Sequence, residues 1–302
     1  MISAGMARLP AWPHLHDLTA PGFYSIIGAM KLKLAQNPGH EAGPSSGIRS
    51  VWPGDGRPTP AELRRASYDV EAATPPARKL LICAAPRTSS KRLARLLLGA
   101  GIGVPMEYFN SNSVRALTAR WNIKKREYLK NLYLRRSANG VFASNLQHHQ
   151  IRDWPYARDI DDLFDSATVI HLVRPDKEAQ AASLAACLLT GRWGFEEAEP
   201  EPSGYSGKQL KNAARRAMRL IAEEDRGWNR WFEARAMAPL VLAMERVIRD
   251  DLTLVTEISE RLGIPFDLAG AERMLQCDRG MYRVDETLKS KLRALIENDR
   301  SC

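Results

Sequence analysis

A loop between an apolar run and a helical pattern carries side chains suited to anion binding. The apolar run is Leu80–Ala84, and helical periodicity begins near Lys91. A loop that enters a helix directs several backbone N–H groups and the positive end of the helix towards one point. The loop adds hydroxyl donors from Thr88, Ser89 and Ser90. It also adds two cations, Arg87 and Lys91. We therefore predict that these residues bind an anion.

The same loop does not fit the nucleotide-binding loop of nucleoside triphosphatases. If Lys91 is aligned with the lysine of that motif, Ala85 and Ser90 stand where glycines are required. Arg92 then takes the place of the hydroxyl residue that binds Mg²⁺. We expect neither ATP hydrolysis nor a metal ion at this site.

A second candidate anchor follows a later strand pattern. Arg174 lies between the apolar run Ala167–Val173 and a helical pattern, and Ser183 comes roughly two turns into that helix. An arginine in this position can bind an anion through charge-assisted hydrogen bonds. Ligands of parallel sheets bind beyond the carboxyl ends of the strands, so both anchors are expected at one edge of the sheet.

Taken together, these motifs resemble those of sulfotransferases. Pro86–Ser90 is similar to the family's [KR]-[ST]-G-[ST] loop. Ala100–Phe109 is similar to a segment that follows this loop in bacterial carbohydrate sulfotransferases, T-G-V-x-G-x-P-x-E-[FY]-F. Trehalose 2-sulfotransferase typifies that group, which also includes lipopolysaccharide sulfotransferases. Arg174–Ser183 and Thr190–Trp193 resemble two further motifs of the same family.

The resemblance implies transfer of a sulfuryl group from 3′-phosphoadenylyl sulfate (PAPS) to a hydroxyl of a bacterial glycan or glycolipid. It makes Glu107 the base for the acceptor hydroxyl, assisted by Arg87 and Lys91. It also implies that the loop holds the 5′-phosphosulfate, and that Arg174 and Ser183 hold the 3′-phosphate. The predicted acceptor-binding residues are Phe109, His148 and Trp193.

Three departures from the family pattern leave the activity open. Ser89 replaces the loop glycine, Lys91 replaces the last hydroxyl of the loop, and Asn145 replaces a lysine. We expect Lys91 to offset the missing lysine, since a phosphosulfate site needs positive charge. The alternative is a catalytically degenerate protein of the same fold that binds a nucleotide or a glycan.

The positive charge of the chain is local. The 302 residues carry a formal net charge of +9, with 44 Lys and Arg against 35 Asp and Glu. Residues 79–136 alone hold 13 Lys and Arg and two acids, a surplus of +11. This cluster could bind nucleic acid, but it offers few aromatic platforms. A small anionic cofactor is the favoured partner, and nucleic acid is not expected.

The chain divides by composition near residue 78. Residues 1–78 contain 10 of the 18 prolines and 8 of the 20 glycines, which is typical of a segment without a packed core. We expect a poorly ordered extension there, with a short amphipathic piece at Phe23–Ala35, followed by a sulfotransferase-like domain over residues 79–302.

Short apolar runs alternate with helical patterns after residue 79. This order predicts an α/β fold with a mainly parallel sheet flanked by helices on both faces. The resemblance implies that this is the P-loop-like fold of sulfotransferases. The predicted strands are Leu80–Ala84, Val141–Leu146, Ala167–Val173 and Pro239–Met244. The predicted helices are Lys91–Leu98, a broken Val114–Arg136, Glu178–Thr190, Lys208–Ala236, Leu252–Leu262, Leu268–Gln276 and Asp285–Glu297.

The remaining features concern location and partners. No apolar stretch has the roughly 20 residues of a spanning helix, and no signal peptide is evident. Cys83 and Cys187 lie in apolar runs, which is typical of free thiols in a reducing cytoplasm. The basic runs Lys124–Arg126 and Arg135–Arg136 are expected on a solvent face. Peripheral contact with a membrane and a homodimer are both left open.

Overall fold

The computed structural model describes residue 52 and residues 58–70, 74–193, 204–249, 251–278 and 286–300. The amphipathic piece predicted at Phe23–Ala35 lies outside the described residues.

A five-stranded sheet organises this part of the chain. Its strand order is β2-β3-β1-β4-β5, and every pair is parallel except β2 with β3. The strands are β1 (Arg78–Ala84), β2 (Ser137–Ala138), β3 (Val141–Leu146), β4 (Thr168–Val173) and β5 (Leu240–Ala243). The four strands predicted from apolar runs are therefore confirmed, as is the α/β fold with a mainly parallel sheet.

The sequence prediction missed only β2 among the strands described. This strand has two residues, too few for alternation to be visible, and it forms a hairpin with β3. Asn139 and Gly140 make the turn, both with positive φ (52° and 73°). An Asn-Gly pair between two strands is the preferred sequence for such a turn, so the signal was present.

Eleven α-helices are described. They are α1 (Ser90–Gly99), α2 (Ser111–Trp121), α3 (Tyr128–Arg136), α4 (His148–Arg152), α5 (Ala157–Phe164), α6 (Lys177–Thr190), α7 (Gly207–Ala234), α8 (Met244–Arg249), α9 (Asp251–Leu262), α10 (Leu268–Asp278) and α11 (Glu286–Arg300). Val114–Arg136 is broken as predicted, because Asn122 adopts a left-handed conformation that ends α2. None of the helices in these described ranges is long and apolar enough to span a membrane.

Helices cover both faces of the sheet. Alternate residues of β1 point to opposite faces, and all of Leu80–Ala84 is buried. On one face, Leu80 and Ile82 share an apolar cluster with α1 and α9. On the other, Leu81 and Cys83 belong to a cluster rich in aromatic rings, including Tyr108 and Trp228. The central strands are thus enclosed, and their carboxyl ends are left to form a site.

Residues 58–70 pack into the domain, although the composition placed them in the poorly ordered extension. Leu63 and Tyr68 are buried in the aromatic cluster. The fully buried Arg136 donates to the carbonyl oxygen of Leu63 (2.6 Å) and pairs with Asp69 (3.0 Å). The proline and glycine count concealed these few anchoring side chains. Arg136 is likewise in the core, so the prediction that it lies on a solvent face is wrong.

Candidate active site

The loop from β1 to α1 presents its backbone amides outwards. Arg87 and Ser89 both adopt positive φ (67° and 62°), and the Thr88 hydroxyl donates to the carbonyl oxygen of Ala85 (3.0 Å). The N–H groups of residues 88–91 donate to no acceptor within the described ranges. Such amides at the start of a helix form a concave donor set for an anion.

The two predicted anchors are joined by hydrogen bonds. Arg87 Nε donates to Ser183 Oγ of α6 (2.9 Å), and Arg174 Nη1 donates to the carbonyl oxygen of Arg87 (3.3 Å). Gln180, also on α6, donates through Nε2 to the carbonyl oxygen of Pro86 (2.7 Å). Residues predicted from two separate motifs therefore form one connected set at the carboxyl edge of the sheet.

Arg174 is half-buried and lies near two groups of opposite charge. Burial lowers the pKa of its guanidinium, while the carboxylates of Asp176 and Glu245 favour the charged form. Arg174 Nε and Glu245 Oε2 are both buried without a hydrogen-bond partner in the described part of the chain. Buried polar atoms are normally satisfied, so the Arg174 donor points to a ligand in this region.

Asn145 connects the loop to the segment that carries Glu107. The backbone N–H of Asn145 donates to the carbonyl oxygen of Met106 (3.0 Å), and its side-chain Nδ2 donates to that of Ser90 (3.4 Å). Glu107 and Lys91 are the residues that directly follow these two acceptors. Position 145, where the family has a lysine, is thus adjacent to the start of α1.

The Glu107 carboxylate has a partner that sequence reasoning missed. Gln150 is buried, and its Nε2 donates to Glu107 Oε2 at 3.5 Å. Gln150 lies on the short helix α4, whose first two N–H groups, at His148 and His149, donate to the buried carboxylate of Glu224 (2.6 and 3.1 Å). Nothing in the local sequence relates Glu224 of α7 to Gln150, since the contact depends on how α7 packs.

The two histidines at the start of α4 have different surroundings. The His149 ring bonds Glu224 through Nδ1 (2.8 Å), and this hydrogen bond raises its pKa. Burial lowers the pKa of His148, whose ring meets Trp228 edge-on at a centroid distance of 5.6 Å. The His148 ring also occupies the space above Gly227, where a Cβ would lie 2.2 Å from Nδ1.

The three predicted acceptor residues lie in unlike environments. Phe109 is only 4% exposed and packs edge-to-face on Tyr128 and Trp154, so we assign its ring to the core. His148 is half-buried at the start of α4. Trp193 is 48% exposed, and its carbonyl oxygen accepts from Arg87 Nη1 (3.3 Å), which holds the residue beside the loop.

Lys91 is half-buried on the first turn of α1 and makes no hydrogen bond or ion pair with the residues described. The positive charges of Arg87 and Lys91 both act to lower the pKa of the Cys187 thiol on α6. Burial nevertheless raises the pKa of that thiol. Across the described ranges, no group of three or more His, Cys, Asp or Glu side chains is placed to hold a metal ion.

Part of the chain matches a known protein family. Residues 132–279 match the family model of Stf0 sulphotransferases. No curated protein sequence matches the chain. Among solved structures, the sulfotransferase domain from the Synechococcus PCC 7002 olefin synthase is similar at 17% identity and a TM-score of 0.41, over 77% of this chain and 91% of that chain. The family match includes Arg174, Ser183 and Trp193 and begins after the loop and Glu107. Over residues 132–279 the chain is therefore similar to Stf0 sulphotransferases, and the resemblance inferred from its motifs is confirmed.

Proposed function

We propose that the protein transfers a sulfuryl group from PAPS to a hydroxyl of a bacterial glycan or glycolipid, with Glu107 as the general base. The observation that carries the proposal is the hydrogen bond between Arg87 and Ser183. It joins the residue expected at the 5′-phosphosulfate to a residue expected at the 3′-phosphate. The proposal includes a cytoplasmic location. Two buried free thiols, Cys83 and Cys187, support it because free thiols are typical of a reducing compartment.

The residues present fit a ligand with two anionic groups. The unpaired amides of residues 88–91, with Arg87 and Lys91, would hold the phosphosulfate. Arg174, whose buried Nε lacks a described partner, and Ser183 would hold the 3′-phosphate. When bound, PAPS would supply a sulfuryl group on a phosphate leaving group. This chemistry needs positioning and charge stabilisation more than covalent catalysis.

Each residue then has a definite task. Glu107 would accept the proton of the acceptor hydroxyl at a carboxylate oxygen. The Gln150 amide, which donates to Oε2, would hold that carboxylate in place. Arg87 and Lys91 would stabilise the negative charge that develops beside the loop. The exposed Trp193 indole would pack on the sugar or the base.

The altered loop supports a second candidate, a binding protein without turnover. Ser89 adopts the left-handed conformation (φ 62°) that favours glycine, and Asn145 supplies an amide where the family has a lysine. The change at position 145 leaves less positive charge near the transferred group, in a site that can still hold a nucleotide. Lys91 would compensate in the active enzyme, because its ammonium group extends from the same helix turn.

Ligand binding tests what the two candidates share. Thermal unfolding of the full chain should be measured with 3′,5′-adenosine bisphosphate, with and without Mg²⁺. At 100 times Kd, a ligand that binds only the folded state stabilises it by about 2.7 kcal/mol. We expect the same shift with and without the metal. No shift would reject the enzyme and a nucleotide-binding degenerate protein, and a shift produced by ATP only with Mg²⁺ would favour a kinase.

Turnover separates the two candidates. Labelled PAPS should be incubated with the protein and with pools of bacterial glycans and glycolipids. Label transferred to an acceptor supports the enzyme. Binding of the donor without transfer of label to any pool supports the degenerate protein. In an active protein, full turnover by Lys91→Ala would show that this lysine does not replace the missing one at position 145.

A further inference from the structure

The first half of α7 carries a basic face with no acidic residue. Five cations fall within the twelve residues from Lys208 to Arg219, and the first acid after them is Glu223. All five side chains are exposed: Lys208, Lys211, Arg215, Arg216 and Arg219. This segment lies outside the basic stretch of residues 79–136, and neither the proposed donor site nor the proposed base uses it.

The helix geometry gathers these cations on one side. At about 100° per residue, Lys208, Lys211, Arg215, Arg216 and Arg219 fall within an arc of about 140°. The buried residues of the same stretch, Ala213, Ala214, Ala217 and Ile221, centre on the opposite side. They pack against α6 and α11 in a separate apolar cluster. The basic residues therefore form the outer face of a firmly seated helix.

Four of the five cations are not neutralised by the residues that the structure describes. Lys208, Lys211, Arg216 and Arg219 form no ion pair with any residue of the described ranges. Lys208, Lys211 and Arg215 line a shallow groove with Gly207 and Asn212. The positive end of the helix dipole lies at this same end of α7, which adds to the positive potential. Five like charges on one helix face repel each other unless an anionic surface meets them.

We propose that this face of α7 binds the surface of an anionic lipid bilayer. Lys208 to Arg219 span about 17 Å of helix, too far for a single phosphate to contact all five cations. A helix with four to eight cations on its exposed face is typical of proteins that bind anionic lipids. Nucleic acid is a poorer fit, because residues 207–222 contain no aromatic ring on which a base could stack. This binding does not depend on the proposed function, but it would bring the site to glycolipid acceptors.

Vesicle binding tests the proposal. The full chain should be sedimented with large vesicles of phosphatidylcholine alone and of phosphatidylcholine with 30% phosphatidylglycerol, at low and at physiological salt. We expect binding only to the anionic vesicles, weakening as salt rises. Each cation near the surface contributes about fivefold to binding. The triple variant Lys208→Gln, Lys211→Gln, Arg219→Gln should therefore bind about 100-fold more weakly.

A matched variant removes the general effect of net charge. Lys124→Gln, Arg126→Gln, Lys130→Gln changes three exposed cations elsewhere by the same total charge, and we expect a loss below about threefold. An equal loss in both triple variants, or no binding of the parent chain at low salt, would overturn the proposal. Tighter binding to a soluble acidic polysaccharide than to the vesicles would also overturn it. The shift with 3′,5′-adenosine bisphosphate should persist in the α7 variant, so a failed donor site and a failed membrane face give different results.

Discussion

Arg87 Nε donates to Ser183 Oγ across 2.9 Å, and this bond connects the loop after β1 to the middle of α6. The two residues are far apart in the chain and belong to different sequence motifs. Their contact means that a ligand held by one must lie beside the other. The donor site is therefore best tested by removing both partners of this bond.

Arg87→Ala and Ser183→Ala should each weaken binding of 3′,5′-adenosine bisphosphate. A hydrogen bond to a charged group contributes about 1.5–3 kcal/mol, so we expect a rise in Kd of roughly 10- to 100-fold for each variant. The double variant should lose less than the sum of the two free energies, because the residues act together. Calorimetry on the four proteins measures this coupling. Strictly additive losses would contradict a shared site.

Glu107→Gln should retain donor binding and lose turnover. A general base contributes about 10²–10⁴ to the rate, and glutamine is nearly isosteric but cannot accept the proton. Single-turnover kinetics with PAPS and an acceptor gives the rate, and calorimetry with 3′,5′-adenosine bisphosphate gives the affinity. Lost affinity with an unchanged rate at saturation would instead assign Glu107 a structural role.

Gln150→Ala should lower kcat by about tenfold and leave the KM for the donor unchanged. The lost hydrogen bond is worth roughly 1–1.5 kcal/mol and orients the Glu107 carboxylate without contacting the substrate. Gln276→Ala, at an exposed position of α10, is the matched control. A loss of donor binding together with the reduced kcat would indicate local misfolding of α4 and not a loss of carboxylate orientation.

Ser89→Gly should stabilise the protein. Ser89 has φ 62°, a conformation that costs a residue with a Cβ about 1–2 kcal/mol. Glycine removes this strain but gains freedom in the unfolded chain, which leaves a net increase of about 0.5–1 kcal/mol in the free energy of unfolding. Ser90→Gly provides the control, because Ser90 is already helical and the substitution should destabilise by about 0.5–1 kcal/mol. Urea unfolding of the three proteins should give opposite signs for the two variants.

His171 should make the fold sensitive to acid. Its ring is buried in β4 beside Phe232, and burial lowers its pKa from 6.5 to about 4. The folded state therefore binds fewer protons than the unfolded state between these values, and stability falls as the pH falls through this range. We expect a loss of about 2 kcal/mol between pH 7 and pH 5 that His171→Leu removes.

His149 is the internal comparison for that experiment. Its pKa is raised by the hydrogen bond to Glu224, so its contribution is fully present below about pH 6.5 and is lost as the pH rises through the raised value. His149→Gln should therefore cost more stability at pH 5 than at pH 8. Urea unfolding over this pH range distinguishes the two histidines, since the variants must change the profile in opposite directions.

Local patterns were sufficient to predict the sheet and the loop. The four longer strands lie within one residue of their predicted limits, apart from β1, which starts two residues earlier at Arg78. Buried parallel strands read as continuous apolar runs, and this signal needs no information about distant residues. The break in Val114–Arg136 was also predicted. By contrast, the buried anchors of residues 58–70 were hidden by the prolines and glycines around them.

Residue types and strand order are local properties, so they were enough to predict which chemistry-bearing residues follow the strands. Which of these residues meet depends on the packing of the whole domain. Ser183 faces Arg87, Gln150 reaches Glu107 through a helix held by Glu224, and the Phe109 ring turns into the core. These contacts join residues 43 to 96 positions apart. They depend on the packing of α4, α6 and α7 around the sheet, which brings distant helix faces together in ways that no short stretch of sequence specifies.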